Sequence, residues 1–199
     1  GALNAVIDDP DVTIDELMEH IKAPDFPTGG IIHGMSGVRA AYHLGKGHIR
    51  VRAKAGIEEG KGDREIIVIT EIPYMVAKSN LLEKMADLVR DKRIDGISNI
   101  RDESDRDGLR VVVELKRGAN PEIVLNLLYK HTQLQTTFAA NTIALVDGIP
   151  KQLNLKEMLT NYVSHRHNVI VRRTTYELRV AEDRAHILEG LRIALDAID

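Results

Sequence analysis

The stretch that decides the fold class is His48–Ile57, which reads HIRVRAKAGI. From Ile49 onwards, apolar or small side chains occupy every second position, and the positions between them carry the basic side chains. A period of two is typical of a β-strand with one buried and one solvent-facing side. The sequence therefore predicts one continuous, half-buried strand over residues 48–57.

The segments that follow alternate between strand and helix patterns. Turn residues at 58–63 precede the apolar run REIIVITEI at residues 64–72, which predicts a second, more central strand. Leucines and methionines at helical spacing then predict a helix that Ser79 caps and that runs to about Arg93. A hairpin around the turn Asp107-Gly108 comes next, and Asn120-Pro121 predicts the start of another helix.

Both ends of the chain are expected to be helical. Two short helices precede the first strand, the second of them capped by Thr13. Near the other end a strand reaches a turn at Asp147-Gly148, and Asn154 and Glu157 have the spacing of a capping box, which predicts a helix from Leu155 to the last residue. Apolar residues of this helix recur every three or four positions and predict a seam that faces a partner surface: Leu178, Ala181, Ala185, Leu188, Leu191, Leu195 and Ile198.

These patterns predict an α+β fold in which helices pack on a mixed or antiparallel sheet. The predicted division is a body at residues 1–153, whose first residues are the tail of a preceding domain, and a long projecting helix at residues 154–199. The chain has no initiator Met, and its final helical pattern has no terminating residue. It is therefore expected to be an internal piece of a longer protein.

Composition restricts the possible functions. The 199 residues include no cysteine, which excludes disulfides, thiolate nucleophiles and Cys-based zinc sites and suits the cytoplasm. No apolar run approaches the roughly 18 residues of a membrane span, so no membrane partner is expected. The net charge of −3 gives no overall attraction to nucleic acid, so DNA binding would need a local basic surface.

Several stretches resemble ligand-binding motifs without matching them. GIEEGKG, at residues 56–62, has neither the glycine spacing of a phosphate-binding loop nor a Ser or Thr after Lys61. The acidic stretch from Glu103 to Glu114 matches a calcium loop at some positions, but Val111–Val113 predict a strand where a helix would be required. Both stretches are interpreted as turns, and no catalytic residue or metal site is predicted.

Two clusters of basic residues are candidate contacts for nucleic acid. The first comprises Arg39, Lys46, Arg50, Arg52 and Lys54, and no acidic residue interrupts it before Glu58. It is either a phosphate-contacting stripe or the solvated face of an ordinary sheet, and the residues alone leave both interpretations open. The second, in the long helix, is more typical of a solvated helix face: His165, Arg166, His167, Arg172 and Arg173.

Four long segments together resemble the A subunits of bacterial type IIA DNA topoisomerases, and the gyrases most closely. They are PDFPTGGIIHGMSGVRAAYHLGKGHIRVRAKA (24–55), ITEIPYMVAKSNLLEKMADLV (69–89), GISNIRDESDRDGLRVVVELKRGANPEIVLNLLYKHTQLQTTF (96–138) and RRTTYELRVAEDRAHILEGLRIALDAID (172–199). The resemblance implies a tower domain beside a DNA-binding winged-helix domain, followed by the first long helix of a coiled coil.

The resemblance also implies the activity of a parent enzyme. Such enzymes break both strands of one duplex by tyrosine attack, pass a second duplex through and reseal the first. The implied partners are duplex DNA, the gyrase B subunit, which binds ATP and magnesium, and another A subunit. Together these would form a complex of two A and two B subunits. No cofactor is expected in this chain.

The family's catalytic tyrosine follows an arginine in the sequence. None of the tyrosines of this chain follows an arginine, and they are Tyr42, Tyr74, Tyr129, Tyr162 and Tyr176. The resemblance therefore implies a non-catalytic scaffold that contacts the arms of a bent duplex. The residues expected to make those contacts are Arg39, Lys46, Arg50, Arg52 and Lys54. The alternative is a purely structural, helix-mediated assembly module without DNA contact.

Overall fold

The computed structural model describes residues 1–60 and 64–197, which divide into two compact units. Residues 21–143 form one of them, called here the sheet unit. The other, the helix unit, combines residues 1–20 with the residues from 144 onwards. Residues 144–153 therefore belong to the same unit as the long helix, whereas the sequence predicts that they belong to the body at residues 1–153. The predicted domain boundary stays a prediction.

Helices and strands alternate along most of the chain. The helices are α1 Ala2–Asp8, α2 Ile14–His20, α3 Ser36–Leu44, α4 Lys78–Arg90, α5 Pro121–His131 and α6 Leu155–Asp196. The strands are β1 Ile31–Ile32, β2 Lys46–Arg52, β3 Lys54–Glu59, β4 Glu65–Glu71, β5 Ile97–Asp102, β6 Val111–Leu115, β7 Gln135–Asn141, β8 Ile143–Val146 and β9 Ile149–Gln152. The predicted α+β class is confirmed.

Two antiparallel sheets organise the sheet unit. Sheet A has the order β1-β2-β7, and sheet B has the order β3-β4-β6-β5. The apolar strand β4 lies between β3 and β6, which confirms that it is the more central strand. The predicted hairpin is confirmed as the pair of β5 and β6.

The core of the sheet unit lies where helices α4 and α5 cover sheet B. Leu81 and Met85 of α4 and Leu128 of α5 are fully buried in one apolar cluster with Ile69 of β4 and Val113 of β6. Aliphatic side chains supply almost all of this cluster, in keeping with the low aromatic content of 4%. Burial of such side chains contributes about 1.5–3 kcal/mol each.

The prediction of one continuous strand over residues 48–57 is wrong. The chain leaves sheet A after β2 and enters sheet B at Lys54, with Ala53 fully buried between the two strands. The N–H of Ala53 donates to the carbonyl of Leu134 at 2.7 Å, and its carbonyl accepts from the hydroxyl of Tyr129 at 3.1 Å. These partners come from a distant segment, so the local alternation of residues could not reveal the break.

Most predicted helix starts are confirmed. The side chain of Thr13 accepts the N–H of Glu16 at 3.3 Å before α2. The side chain of Asn120 accepts two N–H groups at the start of α5, where Pro121 occupies the first turn. Asn154 and Glu157 form the reciprocal capping box of α6, with both bonds at 2.8 Å. Each cap satisfies backbone donors that the first turn leaves unpaired.

The predicted ends of α4 need correction. The helix begins at Lys78, after Ala77, so Ser79 lies inside it and does not cap it. The ammonium of Lys78 is held by the carboxylate of Asp102 at 2.7 Å. The helix ends at Arg90 because Lys92 adopts a left-handed backbone, with φ of 56°.

The Lys78–Asp102 ion pair predicts a specific loss of stability in acid. The bond from Lys78, followed by those from Ser104, lowers the pKa of Asp102 from 3.8 to about 2. A carboxylate with a lowered folded pKa stabilises the fold above its unfolded pKa, and this contribution disappears as pH falls from about 4 to about 2. We expect Asp102→Asn to flatten the decline of the urea midpoint over that range.

Asp25→Asn is the matched control, because Asp25 is exposed and forms no ion pair with any residue in the described ranges. Its urea midpoint is expected to decline with pH as steeply as that of the original sequence. Identical slopes for all three proteins would contradict a stabilising role of the Lys78–Asp102 pair.

The long helix α6 is buried only at its beginning. Helices α1 and α2 pack against it, and Leu155 is buried there. From Ile170 to Ala197 every residue is exposed. Ile198 lies outside the described residues, and a partner for the seam Leu178–Leu195 stays a prediction. Within residues 1–60 and 64–197, no helix combines the length and apolar character needed to cross a membrane.

Candidate nucleic-acid interface

One face of sheet A carries the basic side chains of β2. Lys46, His48, Arg50 and Arg52 occupy alternate positions and therefore share one side of the strand. Antiparallel partners share a face, so β7 places the following neutral residues beside them: Gln135, Thr137, Ala139 and Asn141. We call these basic and neutral positions together the β2 face. None of its positions carries an acidic side chain.

Helix α3 covers the opposite side of β2, at very short range. A Cβ at Gly37 would collide with the carbonyl of His48, and one at Gly47 would collide with the carbonyl of Gly37 and lie 2.6 Å from the N of Ala41. Gly37 lies within α3 and faces the strand. Gly37 and Gly47 allow α3 to pack directly against one side of β2. The other side of the strand, which carries the basic residues, is the one open to solvent.

The cations of the β2 face differ in how firmly they are held. The Nε of Arg52 donates to the Oε1 of Gln135 at 2.7 Å, and its guanidinium lies 4.9 Å from the ring centre of Tyr129. Lys46 and Arg50 are exposed and form no ion pair with any residue in the described part of the chain. The face therefore combines one oriented guanidinium with two cations available to an anionic partner.

The predicted DNA-contacting residues do not form one surface. Lys46, Arg50 and Arg52 are brought together on the β2 face. Arg39 belongs to α3, on the other side of sheet A. Lys54 lies in sheet B, where its ammonium is 3.2 Å from a carboxylate oxygen of Glu71. DNA contact by any of these residues stays a prediction.

Glu71 also holds the glycine-rich loop before β1. Its carboxylate accepts the N–H of Gly30, and this bond, followed by that from Lys54, lowers the pKa of Glu71. Gly29 and Gly30 have positive φ values of 70° and 97°, a backbone conformation that favours glycine. Lys54 is therefore engaged in fixing this loop, which reduces the charge it can offer to a ligand.

Three of the family-like segments meet in one aromatic cluster. Phe26 of the first segment lies edge-on to Phe138 of β7, with ring centres 5.1 Å apart. Tyr74 of the second segment completes the cluster, 6.2 Å from Phe26 and 6.3 Å from Phe138. The cluster joins the loop before β1 to β7 and so helps to fix the edges of sheet A.

The acidic residues of the hairpin that resembles a calcium loop form ion pairs with arginines. The guanidinium of Arg101 lies 2.9 Å from Glu103 and 3.2 Å from Glu114, and that of Arg110 lies 3.3 Å from Glu103 and 3.1 Å from Glu58. Within the described ranges, no three His, Asp or Glu residues are grouped as a metal site would require. Lys61 and Gly62 of GIEEGKG, and residues 61–63 of the predicted turn, lie outside the described residues.

Sequence reasoning missed the contribution of β7 and of the loop after β1. Gln135 and Thr137 lie beside Arg52 and Arg50, and the N–H of His33 donates to the carbonyl of Arg50 at 2.8 Å. The pairing of β2 with β7 joins residues that are far apart in the sequence. No local pattern around Gln135 indicates that it lies beside a basic strand.

The antiparallel sheets and the long capped helix agree with the expected class, the A subunits of type IIA DNA topoisomerases. The family model for the A subunit of DNA gyrase/topoisomerase IV matches residues 1–199, so the chain belongs to this family.

Similar proteins include the DNA gyrase A subunit of Clostridium acetobutylicum, 58% identical over 99% of this chain and 24% of that protein. The DNA gyrase A subunit of Pseudomonas aeruginosa is 56% identical over 98% of this chain and 21% of that protein. The corresponding values for the DNA gyrase A subunit of Halalkalibacterium halodurans are 59%, 98% and 23%. The chain thus spans less than a quarter of the length of each of these relatives.

Proposed function

We propose that this chain is a non-catalytic scaffold and DNA-arm contact of a DNA gyrase A subunit. The observation that carries the proposal is the β2 face, where Lys46, Arg50 and Arg52 stand among neutral side chains. The whole enzyme would break, pass and reseal duplex DNA at the expense of ATP, in the cytoplasm. Its catalytic tyrosine would lie outside this chain, and ATP and magnesium would bind to the B subunit of a complex of two A and two B subunits.

The spacing of the cations suits a nucleic-acid backbone. Alternate side chains of a strand repeat every ~6.8 Å, about twice the 3.4 Å rise between successive phosphates along one DNA strand. From Lys46 to Arg52 the face extends for about 20 Å, or roughly six base pairs. Backbone contacts of this kind position a duplex without reading its sequence.

A scaffold with such a face would favour a bent duplex. Smooth bending of a duplex of 20–30 base pairs costs on the order of 1–6 kcal/mol, and cations that contact the arms offset part of this cost. The packing of α3 on β2 would hold the strand in place while the β2 face contacts the bent duplex. The five tyrosines have no role in the chemistry under this proposal.

The test is a salt titration of duplex affinity in the whole enzyme, with its A and B subunits both present. In Lys46→Gln/Arg50→Gln, we expect the log-log salt slope to fall by about two units for a duplex of about 40 base pairs. The affinity should fall by about tenfold or more at 100 mM salt, because both lost cations act on phosphates.

Arg39→Gln/Lys54→Gln is the matched control, since it removes the same charge from residues outside the β2 face. We expect its salt slope to change by less than about one unit. Equal slopes and affinities for the β2-face variant and the original sequence would refute the proposal. That outcome would favour the purely structural assembly module.

A further inference from the structure

The first half of α6 carries a second basic surface. With 3.6 residues per turn, positions three, four and seven apart lie on one side of a helix. On this criterion Val169 and Val180 lie on the same side of α6 as the following residues, called here the α6 stripe: Tyr162, His165, Arg166, Arg172, Arg173, Tyr176 and Arg179. All residues of the stripe are exposed, and the two tyrosines are 52% and 61% exposed.

The charges of the stripe are segregated by sign. No acidic residue occurs between Glu157 and Glu177. Among the described residues, the carboxylate that pairs with the stripe is that of Glu177, which lies 3.7 Å from the Nε of Arg173 in a pair that is well exposed on both sides. Exposed pairs of this kind contribute little, so the stripe keeps most of its positive charge.

The second half of the same helix has a different pattern. Glu182, Asp183, Arg184, Glu189 and Arg192 mix both signs within a few turns. Alternating signs are typical of a helix face that only meets solvent. The stripe departs from that pattern, which is the observation that distinguishes it from an ordinary solvated face.

We infer that the α6 stripe is a second phosphate-binding surface for duplex DNA, formed by residues other than those of the β2 face. The choice of DNA as the partner rests on the proposed function. Guanidinium groups bind phosphate oxygens through paired hydrogen bonds, and tyrosine hydroxyls donate to the same oxygens. The guanidinium of Arg179 lies 5.6 Å from the ring centre of Tyr176, which places a cation and a hydroxyl donor together at one end of the stripe.

The dimensions of the stripe fit a duplex backbone. Tyr162 and Arg179 are about 25 Å apart along the helix axis at 1.5 Å per residue. This length corresponds to about seven base pairs at 3.4 Å each. An exposed helix offers no enclosed pocket for a base, so the contact would be independent of sequence.

The test is the salt dependence of duplex binding in the complex of A and B subunits. We expect Arg166→Gln/Arg172→Gln to lower the log-log slope by about two units and the affinity by about tenfold at 100 mM salt. Arg184→Gln/Arg192→Gln is the matched control, because it removes the same charge from the mixed half of α6, and its slope should stay within about half a unit of the original. Glutamine preserves helix propensity, and circular dichroism should show unchanged helix content in both variants.

Comparison with the β2-face variant separates this inference from the proposed function. If only the β2-face variant loses salt slope, the α6 inference is refuted and the proposed function stands. If only the stripe variant loses slope, the inference stands and the β2 face is not the contact. If supercoiling falls while duplex affinity and slope are unchanged in the stripe variant, the stripe meets an acidic protein surface, and the inference is also refuted.

Discussion

Gly47→Ala is expected to destabilise the sheet unit by about 3 kcal/mol, because the added methyl group would overlap the backbone of α3. At this position a Cβ would collide with the carbonyl of Gly37 and lie 2.6 Å from the N of Ala41. Backbone atoms cannot turn aside as a flexible side chain can, so α3 must move away from β2. The β2 face would lose its support, and duplex affinity should fall along with stability.

Gly56→Ala is the control for this substitution. Gly56 also lies in a strand, but a Cβ there would meet nothing within 4 Å. Its free energy of unfolding, measured by urea denaturation, should change by less than about 0.5 kcal/mol. If the two variants have equal stabilities, close packing of α3 on β2 is not what requires glycine at position 47.

Leu128→Ala is expected to cost about 3 kcal/mol of unfolding free energy, because it opens a cavity in the core under α5. Leu128 is completely buried in the cluster that joins α4 and α5 to sheet B. Ile123→Ala on the same helix is the control, since Ile123 is 60% exposed and should lose less than about 0.5 kcal/mol.

Urea denaturation of both variants measures the difference, and the slope of free energy against urea should stay constant if unfolding remains two-state. A small loss in Leu128→Ala, comparable to that in Ile123→Ala, would mean that neighbouring side chains collapse into the space. The cluster would then be less rigidly packed than its burial indicates.

Features encoded by neighbouring residues were predictable. The caps at Thr13, Asn120 and Asn154 each involve partners within three residues, so composition and spacing were sufficient. The central position of β4 followed from its nearly continuous apolar character.

Features that depend on distant partners were not predictable in this way. The alternation of residue types continues across Ala53 from β2 into β3, whereas the break itself is marked by the hydrogen bonds of Ala53 with Tyr129 and Leu134. The same limitation applies to the candidate interface. Its basic residues are visible in the sequence, but their sorting among β2, α3 and β3 depends on pairing with β7 and β4.

Ala53 also has a mechanical consequence. It is the single residue between β2 and β3, and both of its backbone polar groups are held by hydrogen bonds from the segment containing Tyr129 and Leu134. Bending of the chain at this point would break those two bonds in a buried environment, which is costly. A force that pulls on β2 is therefore transmitted to sheet B with little bending of the chain at Ala53.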